Sequence, residues 1–369
     1  KYENIEFILI KKLTNKEVSF MDTIEIRLNL KKGLNIDLQL INQLRSYIDS
    51  ITNNGNYRYC EVLQVSKNGD LIVKISYPRY FAKVNAYLIT RRSECFEVQT
   101  HFINSIFNDP TWASIIENIT LGRVDIPFTY LMNTEEQFAS YENIFYIFAF
   151  VYARKKENAR TKAYLDLQNR NFETLIYSPN GSVGKSANNK LEVYNQALNL
   201  RNKLEEEVWN EVVSAYKDLP FRIRMEVSKR IRLRRNFSPV EFANLDILGK
   251  YFEDYKKYIL ENVLDFSIIE ELYNYWAYEL SQRLNQVRMN KGFTYGEFIY
   301  QNQTLIYDYE IVRRALGIAI ENTNTRENAI TRVRKILVEY ERTNNIILMD
   351  TYGTLKRIES QIMGAYLLD

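Results

Sequence analysis

One histidine and two cysteines stand in 369 residues, and that scarcity closes several chemistries. A Ser-His-Asp arrangement could use only His101. It lies in Gln99-Thr-His-Phe-Ile103, where a single ring on an alternating segment reads as packed or solvated. Zinc sites of the Cys/His type have too few ligands to draw on. The His-hydrophobic-His metal motif of many DNA-nicking enzymes cannot be written with one histidine. Cys60 and Cys95 form no motif with each other or with a histidine, and the absence of a disulfide framework suits a reducing compartment. Any metal must therefore sit on carboxylates, which points to magnesium or manganese.

Long apolar runs are also missing. The most apolar stretch, Ile144 to Ala153, is about half a membrane span and ends in Arg154-Lys-Lys156, so it reads as a core segment. No signal peptide stands at the start of the chain as given, and a cytoplasmic protein with no membrane contact is expected. The net charge of +3 is too small to imply a nucleic-acid partner by itself. Its distribution says more. Arg222 to Arg235 holds seven basic residues (Arg222, Arg224, Lys229, Arg230, Arg232, Arg234, Arg235) and one acid, an electrostatic footprint suited to phosphates.

What is present is an ordinary globular composition, 46% apolar and 26% charged, at a length whose expectation is two domains. The 28 tyrosines, with abundant Asn, Ile and Lys, fit a low-GC coding sequence or aromatic stacking on bases. Phe20 to Leu30 alternates as a half-buried strand, and Asp37 to Ile51 has helical period. Tyr57 to Ser66 and Asp70 to Tyr77 read as a hairpin turning at Lys67-Asn-Gly69. Pro78 then stops the second strand, with an irregular and then helical stretch expected over Arg79 to Thr90. Helices are expected at Phe96 to Phe107 and Thr134 to Lys155, and Pro127 is expected to mark a strand end or a sheet edge. Glu173 to Val227 reads as strand, glycine-containing loop, strand (Lys190 to Tyr194), charged helix (Arg201 to Tyr216) and strand (Phe221 to Val227). Beyond Ser238-Pro239-Val-Glu241, a capped helix start, the period is helical throughout and four or five helices are expected. The domains are thus drawn as 1–236 and 237–369, the second helical and available for DNA or a partner.

Alternation also sorts the polar residues. In Phe221 to Val227, Ile223, Met225 and Val227 take one face, and Arg222, Arg224 and Glu226 the other. Tyr194 shares a face with Glu192, and Arg123 shares one with Asp125. If these strands are neighbours, Asp125, Tyr194 and Glu226 converge: a nucleophile with two carboxylates to hold a divalent metal. The plainer readings are a tyrosine stacked in a ladder, and carboxylates paired with Arg123 and Arg224 on a polar sheet face.

Pro179-Asn-Gly-Ser-Val-Gly-Lys-Ser186 nearly matches a phosphate-binding P-loop, and Asn344 to Asp350 has the shape of a Walker B strand. Against an ATPase, Pro179 replaces the first glycine and no α/β alternation surrounds the loop. ATP is not expected, and a basic hairpin loop carrying Lys185 is the preferred reading.

The ordered segments resemble the rolling-circle replication initiators (Rep proteins) of filamentous phages and small plasmids, in the branch without the two-histidine motif. Met21-Asp-Thr-Ile-Glu-Ile-Arg27 resembles their opening strand. Leu71-Ile-Val-Lys-Ile-Ser-Tyr-Pro-Arg79, with Asn85, is similar to their apolar strand, Ser-x-Pro-Lys and Asn segment. Gly122-Arg-Val-Asp-Ile126 looks like their Thr-Arg-Ile-Asp strand. Lys190 to Asn195 and Phe221 to Val227 look like their Ile-Tyr-Asn-Lys and Leu-Arg-Ile-Glu-Val strands. The resemblance covers roughly residues 20 to 235 and implies an α+β fold: a mixed or antiparallel central sheet with flanking helices, followed by a helical domain.

It also implies a nickase-ligase that starts DNA replication of a phage or plasmid. Tyr194 would be the nucleophile, Asp125 and Glu226 the ligands of magnesium or manganese, and Arg123, Arg222 and Arg224 the phosphate holders. Lys185, Lys190, Lys229, Arg230, Arg232, Arg234 and Arg235 would complete the nucleic-acid surface. The expected partner is origin DNA, single-stranded at the nick; a second copy of the chain and a host replication or defence protein are further candidates. The family's lysine after the tyrosine is Gln196 here, and its further acids fall near Asn199 and Thr129. These departures keep open a binding protein of the same fold without the chemistry, a regulator or inhibitor of a nucleic-acid-handling host protein. A P-loop ATPase is the third reading.

Overall fold

The computed structural model describes residues 21–33, 37–53, 57–67, 69–132, 141–155, 162–165, 174–178, 189–231, 235–302, 308–344 and 350–368. It is an α+β chain that divides into two compact units. The first holds residues 1–131, 158–259 and 361–369, the second 132–157 and 260–360.

The first unit is built on a curled antiparallel sheet. Its strands are β1 (Thr23–Leu30), β4 (Cys60–Val65), β5 (Leu71–Ser76), β6 (Ile116–Leu131), β7 (Lys162–Leu165), β8 (Thr174–Ser178), β9 (Asn189–Asn195) and β10 (Arg222–Arg230). They run in the order β4-β5-β1-β6-β10-β9-β8-β7, with the short β11 (Asn236–Phe237) also on β6; the two-residue β2 (Thr52–Asn53) and β3 (Tyr57–Arg58) pair separately. Alternation decides the two faces. Ile24, Ile26, Val73, Ile75, Val124, Ile126, Phe128, Ile223, Met225, Val227, Leu191 and Val193 are all buried on one of them. Helix Ile247–Asn262 covers part of that face: Phe252 stacks on Phe128 at 5.6 Å, and Tyr255 donates its hydroxyl to the Val124 carbonyl at 3.0 Å. Residues 239–259 therefore pack with the sheet. Gln99, in helix Arg92–Phe107, ties in the capped helix Pro239–Ala243 by donating Nε2 to the Phe242 carbonyl at 2.8 Å.

A bulge in β6 sets which face each side chain takes. Ile26 pairs with Leu121 but Glu25 pairs with Arg123, so Gly122 is the extra residue. Ile119 and Leu121 face the core before it, and Val124, Ile126 and Phe128 after it. The shift by one moves Arg123 and Asp125 to the opposite, polar face, since side chains alternate with a period of two. A Cβ on Gly122 would lie 3.2 Å from the Glu25 carbonyl oxygen, which is why the crossing point is glycine.

Several sequence expectations are narrowed or corrected. Of the two readings of Pro127, strand end and sheet edge, the edge holds: β6 continues to Leu131, paired with β10, and Pro127 lies opposite Glu226. Past Asp125 the β1 pairing has ended, so β6 is flanked on one side only and a residue without an N–H is accommodated. After β5 the order is reversed, helix Tyr77–Phe81 first with Pro78 in its first turn, then irregular chain. The charged helix expected over 201–216 is two helices, Gln196–Arg201 and Glu206–Ala215. The helix expected from Thr134 is described as Tyr141–Lys155. The hairpin, helix Leu38–Ser50 with Asp37 as its cap, and the strands β1, β8, β9 and β10 stand as expected.

The second unit is helical: Tyr141–Lys155, Phe266–Val287, Tyr295–Gln301, Tyr309–Ala319, Thr323–Asn344 and most of Thr351–Met363. Asp308 stands at its centre with 1% of its surface exposed. Its carboxylate accepts from the Tyr273 hydroxyl at 2.7 Å, the Glu310 N–H at 2.9 Å and the Tyr352 N–H at 2.8 Å, joining three helices. Among the described residues no helix is long and apolar enough to cross a membrane.

Candidate active site on the polar face of the sheet

The convergence expected from alternation requires β6, β10 and β9 to be neighbours, and they are. Ser228 pairs with Asp125, Arg224 with Tyr194 and Glu226 with Glu192, which puts Asp125, Glu226 and Tyr194 on one polar face. One end of this face is roofed by a second, small core. Val84, Ala86, Ala197, Leu200, Val212 and Leu219 pack together there. Gln196, where the resembled family carries lysine, donates to the Asn85 carbonyl at 2.8 Å and holds the roof down.

On this face Tyr194 is 7% exposed and donates its hydroxyl to Glu226 Oε2 at 3.1 Å. Arg224, completely buried, lies against the same group, Nε 3.7 Å from that Oε2 and Nη2 3.0 Å from Asp22 Oδ2. Neither contact has hydrogen-bond geometry, so all three guanidinium nitrogens and Asp22 Oδ1 are buried without a hydrogen-bond partner. Asp22 is a site residue that sequence reasoning missed. Its signal was a carboxylate directly preceding an apolar strand, in Phe20-Met-Asp-Thr23.

Arg123 organises the neighbouring cluster. Its Nε donates to Asp125 Oδ1 at 2.7 Å, Nη1 to Glu25 Oε1 at 3.2 Å and Nη2 to Ser228 Oγ at 3.0 Å. Burial pushes the Asp125 carboxyl up to about 6, against the pull of Arg123 and Ser228. Burial, reinforced by Asp22, pushes Glu226 up to about 7. Burial also drives the Tyr194 phenol well above its ordinary value, with Arg224 opposing. Two acids are thus poised near neutrality beside a phenol that holds its proton.

Both members of the expected metal pair are engaged by protein groups. Asp125 is committed to Arg123, and Glu226 to Tyr194 and Arg224. Among the described residues no three Asp, Glu, His or Cys side chains come together as a metal group.

The expected basic footprint is spread over several surroundings. Arg222 is buried, bidentate to Asp218 at 2.8 and 2.9 Å, with Nη1 on the Ala86 carbonyl at 2.7 Å. Lys229 points to the other face, 4.6 Å from the Tyr255 ring and 4.9 Å from that of Tyr258. Arg230 is exposed at the end of β10, opposite Arg123. Arg235 pairs with Glu241 at 3.1 Å. Lys190 pairs with Ser228 along the backbone, and its side chain lies outside what is described. Arg232, Arg234 and Lys185, with the whole P-loop-like stretch 179–186, lie outside the described residues. Asp350, the acid of the Walker B candidate, precedes a helix and accepts the Gly353 N–H at 3.1 Å. His101 is packed, its Nδ1 2.6 Å from the Tyr59 hydroxyl, and both cysteines are free and buried.

Two further cations belong to the site. Lys203, exposed with its Nζ on Asn199 Oδ1, is pulled down by partial desolvation and by Lys74 and Arg79, and held up by Glu226 and Asp22. Neither Lys203 nor Lys74 was singled out from the sequence, because single lysines on exposed segments carry no pattern.

Neither a protein-family model nor a curated protein sequence matches the chain.

Proposed function

We propose that the chain is a DNA nicking and joining protein of the replication-initiator kind, with Tyr194 as the nucleophile. The observation that carries this reading is the hydrogen bond from Tyr194 to Glu226 at 3.1 Å, with the Arg224 guanidinium 3.7 Å from the same oxygen. A nucleophile, a proton acceptor within hydrogen-bond reach and a fixed cation are the parts that activate a weak hydroxyl. In the forward step the Tyr194 oxygen bonds to a backbone phosphorus and the bond to the 3′ oxygen breaks. The phenolic proton passes to Glu226, and the leaving oxygen takes a proton from water. The products are a 5′-phosphotyrosine link and a free 3′-hydroxyl, and the reverse attack rejoins the strand. Arg224 meets the charge that develops on the phenol and the phosphoryl oxygens. Glu226 accepts the proton only when ionised, so the reaction should quicken as pH rises through about 7.

The test is a covalent-adduct assay with supercoiled DNA from the element that encodes the protein, run under denaturing conditions with and without manganese. A nicked circle carrying protein, absent for Tyr194→Phe and Glu226→Gln, is the expected result. A wild-type protein that binds this DNA tightly and forms no adduct in either condition would sink the catalytic reading.

A second reading is favoured by one observation, the 7% exposure of Tyr194. In it the same sheet binds nucleic acid or a nucleic-acid-handling protein without chemistry. Binding would then be indifferent to Tyr194→Phe and Glu226→Gln.

A further inference from the structure

Beside the tyrosine group, on the β4–β5 side of the sheet, a small cleft is lined by Arg58, Glu61, Lys74, Ser76 and Arg79 among others. Three cations there meet two acids, which leaves one positive charge in excess. Arg58 is held by Asp49 at 3.1 Å, and Lys74 lies 3.8 Å from Glu61. Arg79 is exposed and has no ion pair or hydrogen bond among the described residues. Lys203 is close enough to feel Lys74 and Arg79 as well as Glu226 and Asp22. Like charges gathered from β3, β5, helix Tyr77–Phe81 and the end of helix Gln196–Arg201 repel one another, and an anion seated among them relieves that repulsion.

The cleft is linked to the tyrosine group through Asp22 and Arg224. Ser76 pairs with Thr23, the Tyr77 N–H donates to the Asp22 carbonyl at 2.8 Å, and the Asp22 carboxylate meets Arg224 at 3.0 Å. The segment that brings Arg79 also brings rings. Phe81 and Tyr87, both half-buried, stack at 4.9 Å with 25° between their planes, and Lys83 is exposed between them in sequence. Cations that track a backbone beside aromatic residues are a common means of holding single-stranded nucleic acid without sequence preference. This ring pair is stacked on itself and lies outside the cleft lining. A duplex presents its phosphates on a convex cylinder, whereas a recessed cleft admits one strand.

We propose that the cleft between Arg58, Lys74 and Arg79 is a phosphate subsite for single-stranded DNA, holding a phosphate of the strand whose neighbouring linkage lies over Tyr194. The placement over Tyr194 rests on the nicking reading above; the cleft's affinity for a single strand does not.

The experiment is fluorescence anisotropy with a labelled single strand of about ten nucleotides, within the site sizes usual for such folds. It uses the full chain across a salt series, with adduct formation followed in parallel. Lys74→Ala with Arg79→Ala should weaken binding at least tenfold at low salt. It should also flatten the slope of log K against log salt by about 1.4, at about 0.7 per released single-strand contact. Arg79→Lys, which keeps the charge, should retain most of the affinity. Arg334→Ala with Lys335→Ala, exposed cations of helix Thr323–Asn344, should change it less than twofold. Unchanged urea midpoints show that each variant folds. Binding that is undiminished in the Lys74/Arg79 variant, or weakened equally by the helix pair, overturns the subsite. Wild-type protein without affinity for the single strand overturns it too. Cleft-dependent binding without an adduct supports the subsite and rejects the tyrosine chemistry, so the two readings fail separately.

Discussion

Arg224, shut off from solvent in the middle of β10, lies 3.0 Å from the carboxylate of Asp22, which precedes β1. The pair spans the width of β6 and fixes how the polar face closes over Tyr194. A buried charge stripped of its partner is costly, whereas removing both charges together is not. Asp22→Ala should therefore destabilise the first unit by about 3–5 kcal/mol. Asp22→Leu combined with Arg224→Met should recover most of that loss. Urea unfolding of the three variants checks the cycle. An unmoved midpoint in Asp22→Ala would show that Glu226 alone satisfies Arg224.

The two acids of the site make stability depend on pH in a particular direction. Both are raised, Asp125 to about 6 and Glu226 to about 7, chiefly by burial. The folded state therefore holds protons that the unfolded chain gives up near pH 4. Their stabilising contribution is complete below about pH 4 and is lost as pH rises through 6 and 7. Asp125→Asn and Glu226→Gln, which stay neutral, should flatten that decline. Relative to wild type, each variant should be more stable at pH 8 than at pH 5. Denaturant midpoints at the two pH values check the sign, and a variant favoured at pH 5 instead would refute it.

Much of the polar face was legible because strand alternation is a short-range rule. Arg222, Arg224 and Glu226 opposite Ile223, Met225 and Val227 needed only the residues themselves. The neighbourhood of β6, β10 and β9 could be posed only as a condition, since nothing local dictates which strands pair. Burial was not legible at all. The small core at the Arg222 end of the face is made by Val84, Ala86 and the helices from Gln196 to Ala215, distant segments that meet only in three dimensions. Burial desolvates the Tyr194 phenol, and it sets Arg222 on Asp218 and Arg224 beside Asp22, partners that alternation alone could not name. Pro127 was read as a strand end or a sheet edge, and the structure selects the edge. Proline signals a missing N–H, but whether that matters depends on where the neighbouring strand stops.

Gly122 is the hinge of this arrangement. A side chain there would meet the Glu25 carbonyl at 3.2 Å, closer than a backbone neighbour can comfortably yield. Gly122→Ala should cost on the order of 1–2 kcal/mol, in the range of overpacked substitutions. Deleting Gly122 is a different test. With it gone, Leu121 and Arg123 become neighbours opposite Ile26 and Glu25, so regular alternation keeps Arg123 and Asp125 on the polar face and the first unit should still fold, with a straighter β6. Circular dichroism and urea unfolding report both outcomes. A deletion variant that loses cooperative unfolding would show that Gly122 is not the extra residue of this pairing.

In the second unit, Asp308 is the residue whose loss should be felt most widely. It joins the Tyr273 hydroxyl to the N–H groups of Glu310 and Tyr352, on three helices, while almost fully buried. Asp308→Ala leaves those donors unsatisfied and removes the cap of helix Tyr309–Ala319, each loss worth about 1–2 kcal/mol. Hydrogen exchange should then quicken at the starts of helices Tyr309–Ala319 and Thr351–Met363. Asp308→Asn keeps the shape and an acceptor, and should cost less. Equal protection in Asp308→Ala and wild type would contradict this account.

Tyr194→Phe separates structure from chemistry. The ring stays packed and only one hydrogen bond is lost, so the stability cost should be about 0.5–1.5 kcal/mol. The donor that favours ionised Glu226 disappears with it, so the Glu226 titration should move further upward. Carboxyl chemical shifts followed against pH would read this directly. A folded Tyr194→Phe protein with the shifted titration, intact single-strand affinity and no covalent adduct is the expected combination. An adduct that persists in this variant would transfer the nucleophile to another residue, whatever the stability data showed.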